Sequence, residues 1–288
     1  MKIGVTYPQT ELQGDPRAVR RIGLAAEELG YDHLLAYDHV LGATHDREPK
    51  LGGPYTDRHP FHDPFIMFAH LAAITRRIEF VTGILILPQR QTALVARQAA
   101  DLDLLSHERF RLGVGIGWNY VEYDSLGQNF RSRGNRLDEQ IRLLRRLWSE
   151  PLVEFKGAFD CIDRAALNPR PRRTIPIWLG GFADAALRRA AAIGDGFIFA
   201  HGAADAFELV QRLRQFLREA GRAERGFGLH CNMNQARSPQ QVVETASRWR
   251  DIGGTHVSVV TMGQNFTTIE QHIDHMKMVS DAVGNAGL

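Results

Sequence analysis

The sequence predicts a closed (β/α)8 barrel, and three observations carry that reading. Short apolar runs rich in β-branched residues alternate with amphipathic helical patterns from end to end, eight times, in units of about 30–40 residues. The 288 residues are 44% hydrophobic, with no shift in composition that would mark a linker, so one domain with a full core accounts for the chain. Residues 78–118, IEFVTGILILPQRQTALVARQAADLDLLSHERFRLGVGIGW, read as strand, kinked turn, helix and strand. A helix between two buried apolar strands makes those strands parallel neighbours. An open doubly wound sheet is the alternative arrangement of the same units.

The first strand is Lys2–Thr6 and runs out at Tyr7. Asp15-Pro16 opens the first helix as an N-cap with proline at the first helical position; Val19, Ile22, Ala26 and Leu29 form its apolar face and Gly30 stops it. The second strand, His33–Tyr37, ends at Asp38-His39. An extended loop, 41–62, follows, rich in Gly, Pro, His and charge. Asp63-Pro64 then starts a helix running to about Thr75. The third strand, Ile78–Thr82, meets Gly83 while the run is still apolar through Ile84–Leu87. A glycine there marks a bulge or a close approach of backbone to a ligand.

The fourth strand ends in Gly113-Val114-Gly115-Ile116-Gly117, whose alternate glycines are expected to leave a groove free of side chains, wide enough for something flat. Asn119-Tyr120-Val121-Glu122 looks like a capping box on a short helix. The fourth long helix is about 135–149, and residues 152–168 form a small β excursion before the fifth strand, Ile177–Leu179. Gly180-Gly181 leads into helix 183–193. The remaining units are strand Gly196–Ala200 with helix 203–220, strand Phe227–Asn232 with a helix from Ser238-Pro239, and strand His256–Thr261 with helix 268–283. Boundaries read this way shift by a few residues.

Composition excludes several functions. A net charge of +2 makes no electrostatic case for nucleic acid. No apolar run reaches the roughly 18 residues of a membrane span. MKIGVTYP begins directly with a strand and lacks a signal-peptide core. Cys161 and Cys231 are the only cysteines and are expected to be reduced and buried, which points to the cytoplasm.

Functional groups of such a barrel sit at the C-terminal ends of its strands. That rim comprises Tyr7, Asp38-His39, Thr82-Gly83-Ile84, Gly115 to Asn119, Gly180-Gly181, His201-Gly202, Asn232 to Asn234 and Thr261 to Gly263. It is poor in carboxylates, which disfavours a metal-dependent hydrolase. It suits a large, flat, partly anionic organic cofactor held by backbone and apolar contacts. Asp38-His39 reads as a cap, a buried structural pair or a catalytic pair. Gly83-Ile84 reads as an ordinary bulge or a ligand contact, and Gly180-Gly181 as a turn or a phosphate seat at a helix N-terminus. The GVGIG run lacks the spacing of a dinucleotide loop. His45, His59, His62 and His70 read as a solvated loop and helix rather than a metal site. Arg131, Arg133 and Arg136 read as a solvated helix start or a seat for an acidic ligand tail.

The segments YDHLLAYDHV, RRIEFVTGILILPQRQTALVARQAADLDLLSHERFRLGVGIGWNYVEYDSLG, RGNRLDEQIRLLRRLW and PIWLGGFADAALRRAAAIGDGFIF occur in an order that resembles the bacterial luciferase-like monooxygenase superfamily, in its branch that uses the deazaflavin coenzyme F420. The resemblance covers nearly the whole chain. It implies a (β/α)8 barrel, a homodimer, a small-molecule substrate and F420 as cofactor, with FMN as the alternative. It implies a non-proline cis peptide bulge at Gly83-Ile84 behind the cofactor ring, beside Thr82. Gly115, Gly117, Trp118 and Asn119 would flank the ring and ribityl chain, Gly180 and Gly181 would meet the phosphate, and Asp38 and His39 would face the reacting side.

One departure matters. A sugar-phosphate dehydrogenase branch keeps a glutamate acid after the last glycine of the fourth strand, and here that place is Trp118, which argues against that substrate. His39 is left as the titratable group at the reacting face, with Asp38 orienting it or bonding the ring. Tyr7, Trp118 and His201 would wall the substrate pocket, and loop 41–62 would cover it. An FMN-dependent monooxygenase and a non-catalytic deazaflavin-binding barrel are the competing readings.

Overall fold

The computed structural model describes residues 1–200 and 203–288. Its elements run β1 (Lys2–Thr6), α1 (Pro16–Glu28), β2 (His33–Ala36), α2 (Pro64–Ala72), β3 (Glu79–Thr82), β4 (Leu85–Ile86), α3 (Thr92–Leu105), β5 (Phe110–Gly115), α4 (Tyr120–Ser125) and α5 (Arg133–Ser149). They continue with β6 (Val153–Lys156), β7 (Cys161–Ala165), β8 (Ile177–Gly180), α6 (Asp184–Ile193), β9 (Gly196–Phe199), α7 (Ala203–Glu219), β10 (Gly228–Met233), α8 (Pro239–Asp251), β11 (His256–Val260) and α9 (Ile269–Asn285). Strands pair in the order β3-β2-β1-β11-β10-β9-β8-β5-β4, and β3 also pairs with β5, which closes the barrel. Each pairing in this sheet is parallel, so the open-sheet alternative is excluded. β6 and β7 form the separate antiparallel excursion.

Local chemistry explains the starts of the helices. Asp15 accepts from Arg17 N–H and Asp63 from Phe65 and Ile66 N–H, each ahead of a proline that fits the first helical position. Ser238 with Gln241 and Thr268 with Gln271 make full capping boxes. α2 ends at Ala72, short of the expected Thr75, whose hydroxyl turns back to donate to Leu71 O at 2.7 Å.

β3 and β4 are one barrel strand broken by a bulge. Phe80 and Val81 pair with Phe110 and Arg111 below it, and Leu85 and Ile86 pair with Val114 and Gly115 above it. At the break the Gly83-Ile84 peptide is cis, as the resemblance implied. There the Thr82 side chain replaces the ladder: its hydroxyl donates to Gly113 O at 2.7 Å and accepts from Gly113 N–H at 2.8 Å.

The barrel interior is layered. Toward the N-terminal ends, His33 and His230 Nε2 both bond Ser258 Oγ, at 2.9 and 2.8 Å, and Arg111 stacks 4.3 Å from the Trp178 ring. Gly4 makes room for His33, and Gly196 and Gly228 make room for the Trp178 indole. Leu35, Val81, Trp178 and Ile198 form an apolar plug, distinct from the larger core between sheet and helices. The two cysteines are not bridged; Cys231 is buried, but Cys161, at the start of β7, is exposed, contrary to expectation. Among the described residues no helix is long and apolar enough to cross a membrane.

Candidate active site

The bulge organises the rim. A Cβ on Gly113 would lie 1.9 Å from Thr82 O, one on Gly115 would lie 2.8 Å from Ile84 Cδ1, and one on Gly117 would lie 2.9 Å from Ile86 Cγ2. The strand-end glycines therefore do not leave an empty groove. They receive the bulge and the side chains that follow it, which corrects the sequence reading. Gly180 serves the same wedge from the other side, since a Cβ there would lie 2.7 Å from Ile84 Cγ2. Ile84, half-buried between β5 and β8, becomes the apolar platform at the mouth of the barrel. Thr82 is wholly buried with its hydroxyl engaged by Gly113, so that hydroxyl is not free for a ligand.

Asp38 supports this platform from behind. One carboxylate oxygen accepts from Ile86 N–H at 2.9 Å and the other from Arg90 Nη2 at 2.7 Å. Arg90 also donates to Asp63 at 3.1 Å, tying the rim to the start of α2. Burial pushes the Asp38 carboxyl above its ordinary value against the pull of Arg90 and the Ile86 amide. With both oxygens engaged, Asp38 does not orient His39, and the expected pair is separated into a structural carboxylate and a site imidazole.

His39 bonds instead to Glu122. Its Nδ1 lies 3.2 Å from Glu122 Oε1, which also accepts from Val40 N–H at 2.7 Å and Leu41 N–H at 3.1 Å. Glu122 is fully buried. The capping-box reading of Asn119–Glu122 holds only for Asn119, whose Oδ1 accepts from Val121 N–H; the Glu122 side chain points across the rim. The signal available was weak: a glutamate on a short helix just past a strand end, within reach of the rim, but with nothing local to name its partner.

Loop 41–62 closes over His39. Tyr55, Phe61 and Trp118 stand 5.4, 4.8 and 5.4 Å from the imidazole, centre to centre, and leave His39 9% exposed. The segment after β5 latches the loop. Asn119 Nδ2 donates to Leu41 O and Tyr120 Oη to Pro49 O. Gly53 packs so closely on Trp118 that a Cβ would lie 2.5 Å from the indole. Trp118 is thus a wall of the His39 chamber, and the Asn119 amide is already committed to the loop and to α4. Tyr7, expected to wall the pocket, is 1% exposed in the core, and burial raises its hydroxyl pKa. His201 lies outside the described residues.

Two features keep the rim open to a ligand. Asn232, near the end of β10, is 1% exposed and neither atom of its amide head has a hydrogen-bond partner among the described residues. Buried polar groups of this kind are normally satisfied. α6 starts just after Gly180-Gly181 with no side-chain cap; Ala186 N–H bonds Ala183 O at 2.9 Å, and among the described residues the Asp184 and Ala185 N–H groups remain for an anion. The basic cluster is more committed: Arg133 donates to Phe130 O and stacks on its ring, and Arg136 is buried and donates to Arg90 O. Among the described residues no group of three or more His, Cys, Asp or Glu could hold a metal.

Comparison with known proteins extends these observations. The family model for luciferase-like monooxygenases matches residues 1–283. An uncharacterized protein from Mycobacterium tuberculosis is 34% identical over 272 residues, covering 90% of this chain and 92% of that one. An F420-dependent glucose-6-phosphate dehydrogenase from Gordonia bronchialis is 31% identical over 270 residues, covering 88% and 75%. Among solved structures, the monooxygenase RslO1 from Streptomyces bottropensis superposes with a TM-score of 0.82 at 18% identity and full coverage of both chains, which establishes likeness of fold.

Proposed function

Because the chain belongs to the luciferase-like monooxygenase family, we propose that it is an oxidoreductase that uses coenzyme F420 to move a hydride to or from a small organic substrate. The observation that carries this reading is the wedge of Ile84 between Gly115 and Gly180, facing the same rim as the enclosed His39. Similarity to an F420-dependent dehydrogenase over most of the chain supports the choice of cofactor. The residues present fit such a group: Ile84 offers an apolar rest for a flat ring, Asn232 an unpartnered amide for its polar edge, and the uncapped start of α6 a seat for phosphate. When bound, the deazaflavin supplies two-electron hydride chemistry with little reactivity toward oxygen.

The chain's own residues have separable tasks. Asp38 and Arg90 brace the bulge, and His39 donates or accepts the proton that accompanies hydride transfer. Tyr55, Phe61 and Trp118 exclude water from it, so substrate entry requires loop 41–62 to move. Trp118 stands where the sugar-phosphate dehydrogenase branch has its acid, which favours a smaller, less polar substrate than a sugar phosphate. We also propose a cytoplasmic homodimer. The unbridged cysteines fit the first part, and the exposed Ile66, Leu94 and Leu105 on α2 and α3 offer an apolar face for the second, testable by the mass of the protein in solution.

Parallel titration of the purified chain with oxidised F420 and with FMN, followed by fluorescence quenching, tests the cofactor. Tight binding of F420 and weak binding of FMN is expected. The reverse order would replace this reading with a flavin-dependent monooxygenase.

A further inference from the structure

Glu122 Oε1 already accepts two backbone N–H groups, from Val40 and Leu41, when His39 Nδ1 reaches it at 3.2 Å. An oxygen that receives two N–H bonds is an acceptor whether the carboxyl is ionised or carries a proton on Oε2. The third contact therefore requires hydrogen on Nδ1, because an unprotonated Nδ1 would set two lone pairs against each other. In the neutral imidazole the lone pair then lies on Nε2. His39 Nε2 has no hydrogen-bond partner among the described residues, and the ring stands among Tyr55, Phe61 and Trp118. Among the described residues Glu122 is the one carboxylate bonded to the ring, and Asp38 is held instead by Ile86 and Arg90.

We propose that Glu122 is a positioning residue that fixes the tautomer of His39, holding hydrogen on Nδ1 and leaving Nε2 as the nitrogen that exchanges a proton with substrate. The Nε2 lone pair takes a substrate proton to form imidazolium, or the imidazolium returns it, and Nδ1 keeps its own hydrogen throughout. This rests on the proposed role of His39 in turnover. It also explains why one carboxylate spans the base of the loop: the oxygen that sets the tautomer also pins residues 40 and 41, so ring orientation and loop closure depend on a single group.

The test is two-bond 1H–15N correlation NMR of the full-length 15N-labelled protein, recorded where His39 is neutral, with its signals assigned by their loss in His39→Ala. The wild type and Glu122→Gln, whose amide oxygen still accepts, should show the Nδ1–H tautomer. Glu122→Leu should shift His39 toward Nε2–H. In assays of F420 against a panel of secondary alcohols, aldehydes and enones, kcat of that variant should fall at least about tenfold while F420 affinity changes less than about twofold. An Nε2–H tautomer in the wild type overturns the proposal, as does an unchanged tautomer in Glu122→Leu. An Nδ1–H tautomer with full turnover in His39→Ala overturns the proton role of His39 and leaves the hold of Glu122 on the ring standing.

Discussion

Ile84 stands where a side chain on Gly180 would have to go: a Cβ there would lie 2.7 Å from Ile84 Cγ2, a methyl on the branched Cβ that moves only by a turn about the stiff χ1. On the opposite wall a Cβ on Gly115 would meet Cδ1, the flexible end of the same side chain, at 2.8 Å. The two substitutions should therefore differ in their rescue. Gly115→Ala and Gly180→Ala should each lower F420 affinity, and adding Ile84→Val, which removes Cδ1 and keeps Cγ2, should partly restore only the first. A double-mutant cycle read by fluorescence titration checks this, and equal rescue of both would argue against the wedge.

Asp38 and Arg90 form a buried pair that braces the bulge. Asp38→Asn preserves volume but leaves Arg90 with only Asp63 as counter-charge, at 3.1 Å. Removing one partner of a buried pair costs about 3–5 kcal/mol, reduced here by the remaining acid. Equilibrium urea unfolding should show a loss of roughly 2–3 kcal/mol, whereas a purely catalytic Asp38 would leave the midpoint where it is.

The polar floor of the barrel makes stability depend on pH. Burial pushes His33 and His230 well below the ordinary histidine value, helped by neighbouring His and Arg111, and burial with the field of Arg111 lowers His256 to about 2. All three are neutral when folded and take protons on unfolding below about pH 6.5. Because the unfolded chain binds more protons, the stability is complete above that pH and is lost as pH falls toward the folded-state values. Each histidine contributes a slope of up to about 1.4 kcal/mol per pH unit. Thermal midpoints should fall steeply from pH 7 to pH 5, and His230→Gln should flatten the curve; an equal slope in that variant would contradict this origin.

Gly53 seats loop 41–62 on Trp118, with φ of 135° and no space for a Cβ. Gly53→Ala should lift the loop and expose His39. Site-resolved mass spectrometry after diethyl pyrocarbonate treatment should find His39 slow to modify in the wild type and several-fold faster in the variant. Equal rates would mean that the loop is not the cover.

The eight βα units are legible because burial imposes local periods: apolar residues recur by two along a strand and by about 3.6 along a helix. Caps such as Asp15-Pro16 and Asp63-Pro64 were legible for the same reason, since cap and amide lie within three residues. The bulge was legible at Gly83 as a break in an apolar run, and the resemblance named its form. Tyr7 was misplaced because a strand end is only a good guide to the rim, and this side chain turns into the core.

By itself the sequence determined the barrel, the family, and the rim residues from which a site would be made. Only the tertiary structure decided what each of them does. His39 meets a carboxylate 83 residues away, Asp38 an amide 48 and a guanidinium 52 residues away, and the glycines of β5 meet a side chain from the neighbouring strand. The physical reason is that periodicity reports which face a residue takes. Its hydrogen-bond partner is set by barrel closure, which brings strand ends from distant units to one rim.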